Sequence, residues 1–153
     1  MANQTQNFLP IEGDWELTRL PMKASEAMEE GAAVAVEIVT NNVTGNAELM
    51  GTENALGADF LGIMAEPITS ADSDYATAGK LKSVYVPKNR LARAEFTVGA
   101  GTFTAADVFK TVEIHSDSKS LAVDTIGLGA RITKFNTSTR GECSFVLSNT
   151  ETA

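Results

Sequence analysis

Residues 33–38, Ala-Val-Ala-Val-Glu-Ile, decide the fold class of this 153-residue chain. Branched apolar side chains stand at every second position, which is the period of a half-buried β-strand. Turn-forming pairs follow at residues 41–42 (Asn-Asn) and 45–46 (Gly-Asn). A strand bracketed by such turns is typical of a meander of short antiparallel strands.

The same alternation continues along the rest of the chain. Comparable apolar runs lie at residues 15–19, 83–87, 94–98, 112–114, 121–123, 126–132 and 142–147. About nine or ten short strands separated by turn signals predict an all-β fold, either a barrel or a sandwich.

Two segments predict short helical elements, so that helix content should be low. Residues 22–30 are predicted to form a short helix that ends at Gly31, since glycine suits the left-handed position after a helix. Residues 104–107, Thr-Ala-Ala-Asp, are typical of an N-capped single turn, with Asp107 near its positive end.

A short internal similarity links the two halves of the chain. Residues 36–38 (Val-Glu-Ile) match residues 112–114, and residues 61–62 (Leu-Gly) match residues 128–129. Two related β units, with a longer excursion in the first, would explain these matches. Chance would explain them equally well, because the matches are short and apolar.

Length and composition indicate one domain with a single packed core. Hydrophobic residues make up 43% and charged residues 21%, both ordinary values for globular proteins. No apolar run approaches the roughly 18–20 residues that span a bilayer. The first fifteen residues lack the pattern of a secretory signal. We therefore expect a protein made and used without export, with no membrane partner.

The net charge of −8 is unevenly spread. Up to Asp74 there are 13 acidic and 2 basic residues, whereas from Tyr75 onward there are 7 acidic and 10 basic. The acidic excess argues against nucleic acid as a partner, because nucleic-acid binding depends on neutralising phosphates. The asymmetry permits a head-to-tail contact between copies.

The residues that could carry chemistry are few. Cys143 alternates with Phe145 and Leu147, so we interpret it as an inert buried thiol, with a pair to His115, the only histidine, as the alternative. Asp72 and Asp74 lack the calcium-loop pattern, which leaves only a weak surface site as the alternative to none. We expect no enzyme activity, no metal site and no cofactor.

Two segments are candidates for binding a partner. Residues 1–13 are polar apart from Phe8, Leu9 and Ile11, which predicts either a frayed terminus or an extended arm that docks on a partner through these three residues. Basic residues cluster between positions 80 and 93 and form either a solvated face or a patch for an acidic surface, in which Lys88 and Arg90 are the predicted contacts.

Several stretches resemble the small decoration (cement) proteins of tailed-bacteriophage heads. The similarity lies in residues 22–68 and 83–135: MKASEAMEEGAAVAVEI, LGADFLGIMAEPI, FTAADVFKTVEI and IGLGARITKF. These are patterns of small and apolar residues, and the family has no catalytic residues to carry over. The resemblance implies a β-barrel-like or β-tulip domain at residues 14–148, an N-terminal arm at 1–13 and a flexible tail at 149–153.

The resemblance also implies a function. Such a protein is made in the host cytoplasm and sits as a homotrimer on the capsid exterior, where it binds the major capsid protein and clamps neighbouring capsomers. The alternatives are another structural protein of the virion, such as a head-fibre base or a tail component, and a sugar-binding β-barrel.

Overall fold

The computed structural model describes residues 7–51 and 59–147, and it confirms the all-β prediction. Strands account for 54% of the structure and helix for 2%. The strands are β1 (Leu9–Pro10), β2 (Trp15–Met22), β3 (Ala33–Val39), β4 (Asn42–Leu49), β5 (Phe60–Met64), β6 (Lys80–Pro87), β7 (Arg93–Ala100), β8 (Thr111–Ile114), β9 (Leu121–Ile126), β10 (Ala130–Thr137) and β11 (Arg140–Phe145). No helix among the described residues is long and apolar enough to cross a membrane.

The strands form two closed rings that follow one another along the chain. Strands β2 to β6 form a closed barrel in the order β2-β4-β3-β5-β6, called here the first barrel. Strands β7 to β11 form a sheet in the order β7-β11-β10-β8-β9, and an additional pairing between β7 and β9 closes it into the second barrel. Residues 14–148, expected to form one barrel-like domain, thus contain two barrels.

The two barrels share one topology and one register. In each barrel the first strand pairs in parallel with the third, and all other neighbours are antiparallel. Matching the paired residues strand by strand makes the following positions equivalent: Met22 and Val98, Val34 and Val112, Ala47 and Leu121, Met64 and Ile132, Val84 and Cys143.

These equivalent positions fill the barrel interiors. Every one of these side chains is buried except that of Val98, which is half-buried. The pattern explains the single cysteine, because Cys143 occupies the position that Val84 occupies in the first barrel. A free thiol packs there as a small hydrophobic group.

The sequence similarity between the halves identified the correct strands in the wrong register. Val36 lies in β3 and Val112 in β8, which are equivalent strands. The pairing with the neighbouring strands, however, makes Val34 the counterpart of Val112. Two related β units are therefore present. The register is offset by two residues from the Val-Glu-Ile match and by one residue from the Leu-Gly match, since Gly62 corresponds to Ala130.

A cluster of aromatic rings joins the barrels. Phe60 of β5 stacks on Phe145 of β11, with ring centroids 4.1 Å apart and parallel planes. Trp15 packs edge-on against both rings, and its indole nitrogen donates a hydrogen bond of 2.7 Å to the carbonyl of Arg93. The result is one continuous core that contains residues of both barrels.

The predicted helix at residues 22–30 is wrong. Met22 ends β2, where it pairs with both Lys80 and Ala47, and Met28 forms an isolated bridge with Ile68. Backbone pairing with distant strands replaced the local hydrogen bonds of a helix. Gly31 does adopt the left-handed conformation, at φ 90°, but as part of the approach to β3. The predicted turn at residues 104–107 is confirmed as a 3₁₀ turn, Ala105–Asp107.

The predicted free arm at residues 1–13 requires a correction for its described part. Phe8 is fully buried against Phe145, with ring centroids 4.9 Å apart. Leu9 and Pro10 form β1 and pair with β7, and the amide of Ile11 donates to the carbonyl of Arg93. The segment does add to a sheet edge as an extended strand, but the edge belongs to its own chain. Residues 1–6 and the tail at 149–153 lie outside the described residues.

We predict that Phe8→Ala lowers the free energy of unfolding by about 3–5 kcal/mol, because it leaves a cavity beside the aromatic cluster. Chemical denaturation monitored by Trp15 fluorescence measures the change. Leu81→Ala, at a half-exposed position, is the matched control and should change stability by less than about 0.5 kcal/mol. A Phe8→Ala variant as stable as this control would contradict the packing of the segment.

Candidate partner-binding groove

Phe109 is presented to solvent by a tightly bonded turn. The Thr104 hydroxyl accepts a hydrogen bond from the Ala106 amide, and the Asp107 carboxylate accepts one of 2.9 Å from the Thr104 amide. The Lys110 ammonium lies 2.9 Å from the other Asp107 oxygen. The hydrogen bond from Lys110 first, and then that from the Thr104 amide, lower the pKa of Asp107 below its ordinary value. The ion pair therefore supports the turn at neutral pH, and its contribution is lost as acid protonates Asp107.

The backbone at Phe109 is strained. Its φ is 79°, in the left-handed region that bulky residues rarely occupy. The conformation is held by a hydrogen bond of 2.7 Å from the Phe109 amide to the Ile132 carbonyl. Burial of the ring does not offset this strain, since the residue is 68% exposed. Strain retained at an exposed aromatic residue is characteristic of binding sites.

A groove of about 690 Å³ runs beside Phe109 along β10 and β11. Its walls include Leu91, which is 74% exposed, and the two arginines Arg90 and Arg131. The Arg131 guanidinium carbon lies 5.6 Å from the centroid of the Phe109 ring, within range of a cation–π interaction. The buried hydroxyl of Thr133, also in the lining, has no hydrogen-bond partner among the described residues.

Further apolar surface lies beside this groove. Ile126 and Leu128 are 84% and 54% exposed, and the loop between them is tied to the groove by a hydrogen bond from the Gly127 amide to the Thr111 carbonyl. Aromatic and arginine side chains surrounded by apolar contacts are the usual composition of the energetic centre of a protein–protein interface. The groove is suited to a protein surface.

The structure separates the residues predicted to bind a partner. Phe8, Leu9 and Ile11 belong to the segment packed between the barrels, and none of them lines the groove. Arg90 lines the groove. Lys88 is exposed in the same connection between β6 and β7 but outside the groove lining.

The rest of the basic cluster serves the chain itself. Lys80 is only 6% exposed and donates to the carbonyls of Lys23 and Tyr75. Lys82 pairs with Asp74 at 3.3 Å, and Arg93 pairs with Asp14 at 3.4 Å. The predicted basic patch is therefore reduced to the segment that contains Lys88 and Arg90.

The two residues considered for nucleophilic chemistry are placed in different parts of the second barrel. Cys143 pairs with Ala94 and Ile132 in the interior, where burial raises the pKa of its thiol. His115 lies in the turn after β8, and its amide bonds the carbonyl of Ser120. Within the described residues no hydrogen bond joins the two side chains.

The acidic pair at residues 72 and 74 is engaged by its own chain. Asp72 accepts hydrogen bonds from the amide and hydroxyl of Thr69, which lower the pKa of its carboxyl. Asp74 pairs with Lys82. Across residues 7–51 and 59–147 no group of three or more His, Cys, Asp or Glu side chains could hold a metal ion.

The sequence did not single out Phe109 or Arg131. Phe109 follows the capped turn, but nothing local indicates that it adopts a left-handed conformation, because glycine or asparagine normally marks such positions. Arg131 alternates out of an apolar run like any solvated strand residue. Only the pairing of residues 109 and 132 brings the two side chains together.

Comparison with protein-family models gave no match to this chain, and comparison with curated proteins gave none.

We predict that Phe109→Gly is more stable than Phe109→Ala by about 1–2 kcal/mol, since glycine adopts the left-handed conformation without strain. Urea denaturation of both variants measures the difference. Equal stabilities would show that residue 109 is not strained in the folded protein.

We also predict that Cys143 reacts with thiol reagents only when the protein unfolds, because its thiol is buried and its pKa is raised. The labelling rate of the folded protein should stay below about a hundredth of the rate in denaturant. Rapid labelling under native conditions would contradict the interior position.

Proposed function

We propose that this chain is a structural protein of a bacteriophage virion that binds the outside of the assembled capsid and stabilises it by clamping neighbouring capsomers. The observation that carries the proposal is the presence of two separate apolar surfaces on one chain. One includes Phe109 and Leu91 on the second barrel, and the other includes Val39 and Val43 on the hairpin between β3 and β4.

The resemblance to decoration proteins supports the same function. Its segments include β3, β5 and the capped turn before Phe109, which are elements of the two barrels. The helix predicted at residues 22–30, within the first of these segments, is replaced by extended chain, so the support comes from the strand segments. The acidic net charge of −8 suits a protein that coats a surface without binding nucleic acid.

Two surfaces on one chain would allow clamping without chemistry. Once the first surface is bound, the second meets its partner at a high effective concentration. A protein that binds only the assembled shell stabilises that shell by mass action. The major capsid protein and further copies of the chain are the partners in this mechanism.

We predict that the protein binds saturably to capsids of the encoding phage prepared without it and raises the temperature at which they rupture. Cosedimentation measures binding, and release of packaged DNA on heating measures rupture. Capsids already carrying the protein are the control and should bind no more. Absence of binding to the depleted capsids would refute the proposal, and binding to isolated tails would favour a tail component.

A further inference from the structure

The groove on the second barrel is the counterpart of the face through which the first barrel contacts the second. The amide of Gly31 donates to the carbonyl of Met64, as the amide of Phe109 donates to that of Ile132. Met64 and Ile132 are equivalent, and Gly31 and Phe109 both have left-handed backbones, at φ 90° and 79°. The register therefore makes Gly31 the counterpart of Phe109.

The same register gives the neighbouring pairs. Tyr85 and Ser144 are equivalent, because each follows the equivalent residue Val84 or Cys143. Leu17 pairs with Tyr85 and Arg93 with Ser144, so Leu17 corresponds to Arg93. Two residues earlier in each strand, Trp15 therefore corresponds to Leu91. Val34 pairs with Gly62 and its equivalent Val112 pairs with Ala130, so Gly62 corresponds to Ala130. Phe60 lies two residues before Gly62 and Leu128 two residues before Ala130, so these two also correspond.

In the first barrel these positions are covered. Trp15 and Phe60 are 8% and 4% exposed because they pack against Phe145 of the second barrel, and the carbonyl of Gly31 accepts the amide of Phe8. In the second barrel the counterparts Leu91, Phe109 and Leu128 are 74%, 68% and 54% exposed. The second barrel thus presents the same face with nothing packed on it among the described residues.

The second barrel's side of the contact between the barrels also has an exposed counterpart, which lies in the first barrel. The second barrel touches the first through the turn between β8 and β9, where Ser118 accepts hydrogen bonds of 2.8 Å from the amides of Ala33 and Gly51. The adjoining Lys119 pairs with Glu29 at 2.7 Å.

In the first barrel the corresponding connection is the hairpin between β3 and β4. Its Val39 and Val43 are 51% and 67% exposed. Leu17, the counterpart of the contact residue Arg93, is 58% exposed. If the contact between the barrels were repeated between two chains, it would cover two faces, the groove and the hairpin. The exposed apolar residues are concentrated on these two faces.

We propose that a second copy of this chain docks head to tail on the groove, with its first-barrel hairpin (Val39, Val43) and Leu17 against Leu91, Phe109 and Leu128. The contact repeats between chains the packing that joins the barrels within one chain. Charge supports this occupant, because Arg90 and Arg131 border the groove, whereas the half of the chain that contains the hairpin has 13 acidic and 2 basic residues.

The contact is heterologous, since two different faces meet. Heterologous contacts close into rings when the rotation between copies permits and otherwise extend as filaments. A ring of such chains would alternate first and second barrels. The contact uses the same two surfaces that the proposed function assigns to clamping, so a closed ring would leave capsid binding to other surface of the chain, whereas an open row keeps one groove and one hairpin free. The contact itself does not depend on capsid binding.

Two complementary variants test the contact in free protein. The groove variant combines Phe109→Gly with Arg131→Ala, and the hairpin variant is Val43→Lys, which places a cation opposite Arg90 and Arg131. All three positions are exposed, so both variants should unfold at temperatures close to that of the unmodified chain.

Sedimentation velocity over a concentration series should show oligomers of the unmodified chain, and each variant alone should self-associate at least tenfold more weakly. An equimolar mixture should form dimers and nothing larger, because only one intact contact can form between a groove and a hairpin. Leu81→Lys and Leu81→Glu, outside both faces, are the controls and should associate like the unmodified chain.

A monomeric unmodified chain at every concentration would overturn the proposal, as would a mixture that does not dimerise or controls that weaken association equally. The measurement contains no capsids, so its outcome is separate from that of the capsid-binding experiment. Oligomers without capsid binding would retain the contact and reject the decoration role, and the reverse result would reject the contact alone.

Discussion

The stacking of Phe60 on Phe145 is the contact on which the rest of the structure depends. Each barrel has only five short strands, and the interior of the first is filled largely by alanine, valine and methionine. Small barrels of this size bury little apolar surface by themselves. The rings of Phe8, Trp15, Phe60 and Phe145 form a second layer between the barrels, which allows the outer faces of β3 and β5 to be apolar. The shared core therefore makes each barrel depend on the other for the burial of its apolar outer face.

The two barrels keep the same backbone and interior but use their outer faces differently. Interior positions hold side chains of similar chemistry in both, as Val84 and Cys143 illustrate. On the outer face, Ala33 and Ile63 of the first barrel meet the second barrel, whereas the counterparts Thr111 and Arg131 line the groove. The glycine that receives Phe8 in one barrel is replaced by an exposed phenylalanine in the other. The same backbone position thus serves internal packing in the first barrel and presents an exposed aromatic side chain in the second.

The strands, the capped turn and the buried cysteine were accessible from the sequence because each depends on side-chain alternation or on contacts a few residues apart. The helix at residues 22–30 failed because its methionines satisfy strand and bridge pairings with residues far along the chain. The same reason explains why the internal similarity, which chance explained equally well, was one or two residues out of register. It also explains why residues 1–13 were predicted to be a frayed terminus or an arm that docks on a partner. The groove could not be predicted, since Phe109 and Arg131 meet only after β10 pairs with the preceding turn.

Each barrel is a continuous stretch of chain, and this affects how the protein emerges during synthesis. The strands of the first barrel are complete at Pro87, before any strand of the second has been made. Until the second barrel forms, Trp15, Phe60 and Ile63 have no covering layer, and Leu9–Pro10 lacks the β7 edge that it pairs with. The nascent chain therefore passes through a stage that exposes aromatic surface and an unpaired strand, both of which promote aggregation. Translation speed between residues 87 and 145 sets how long that exposure lasts.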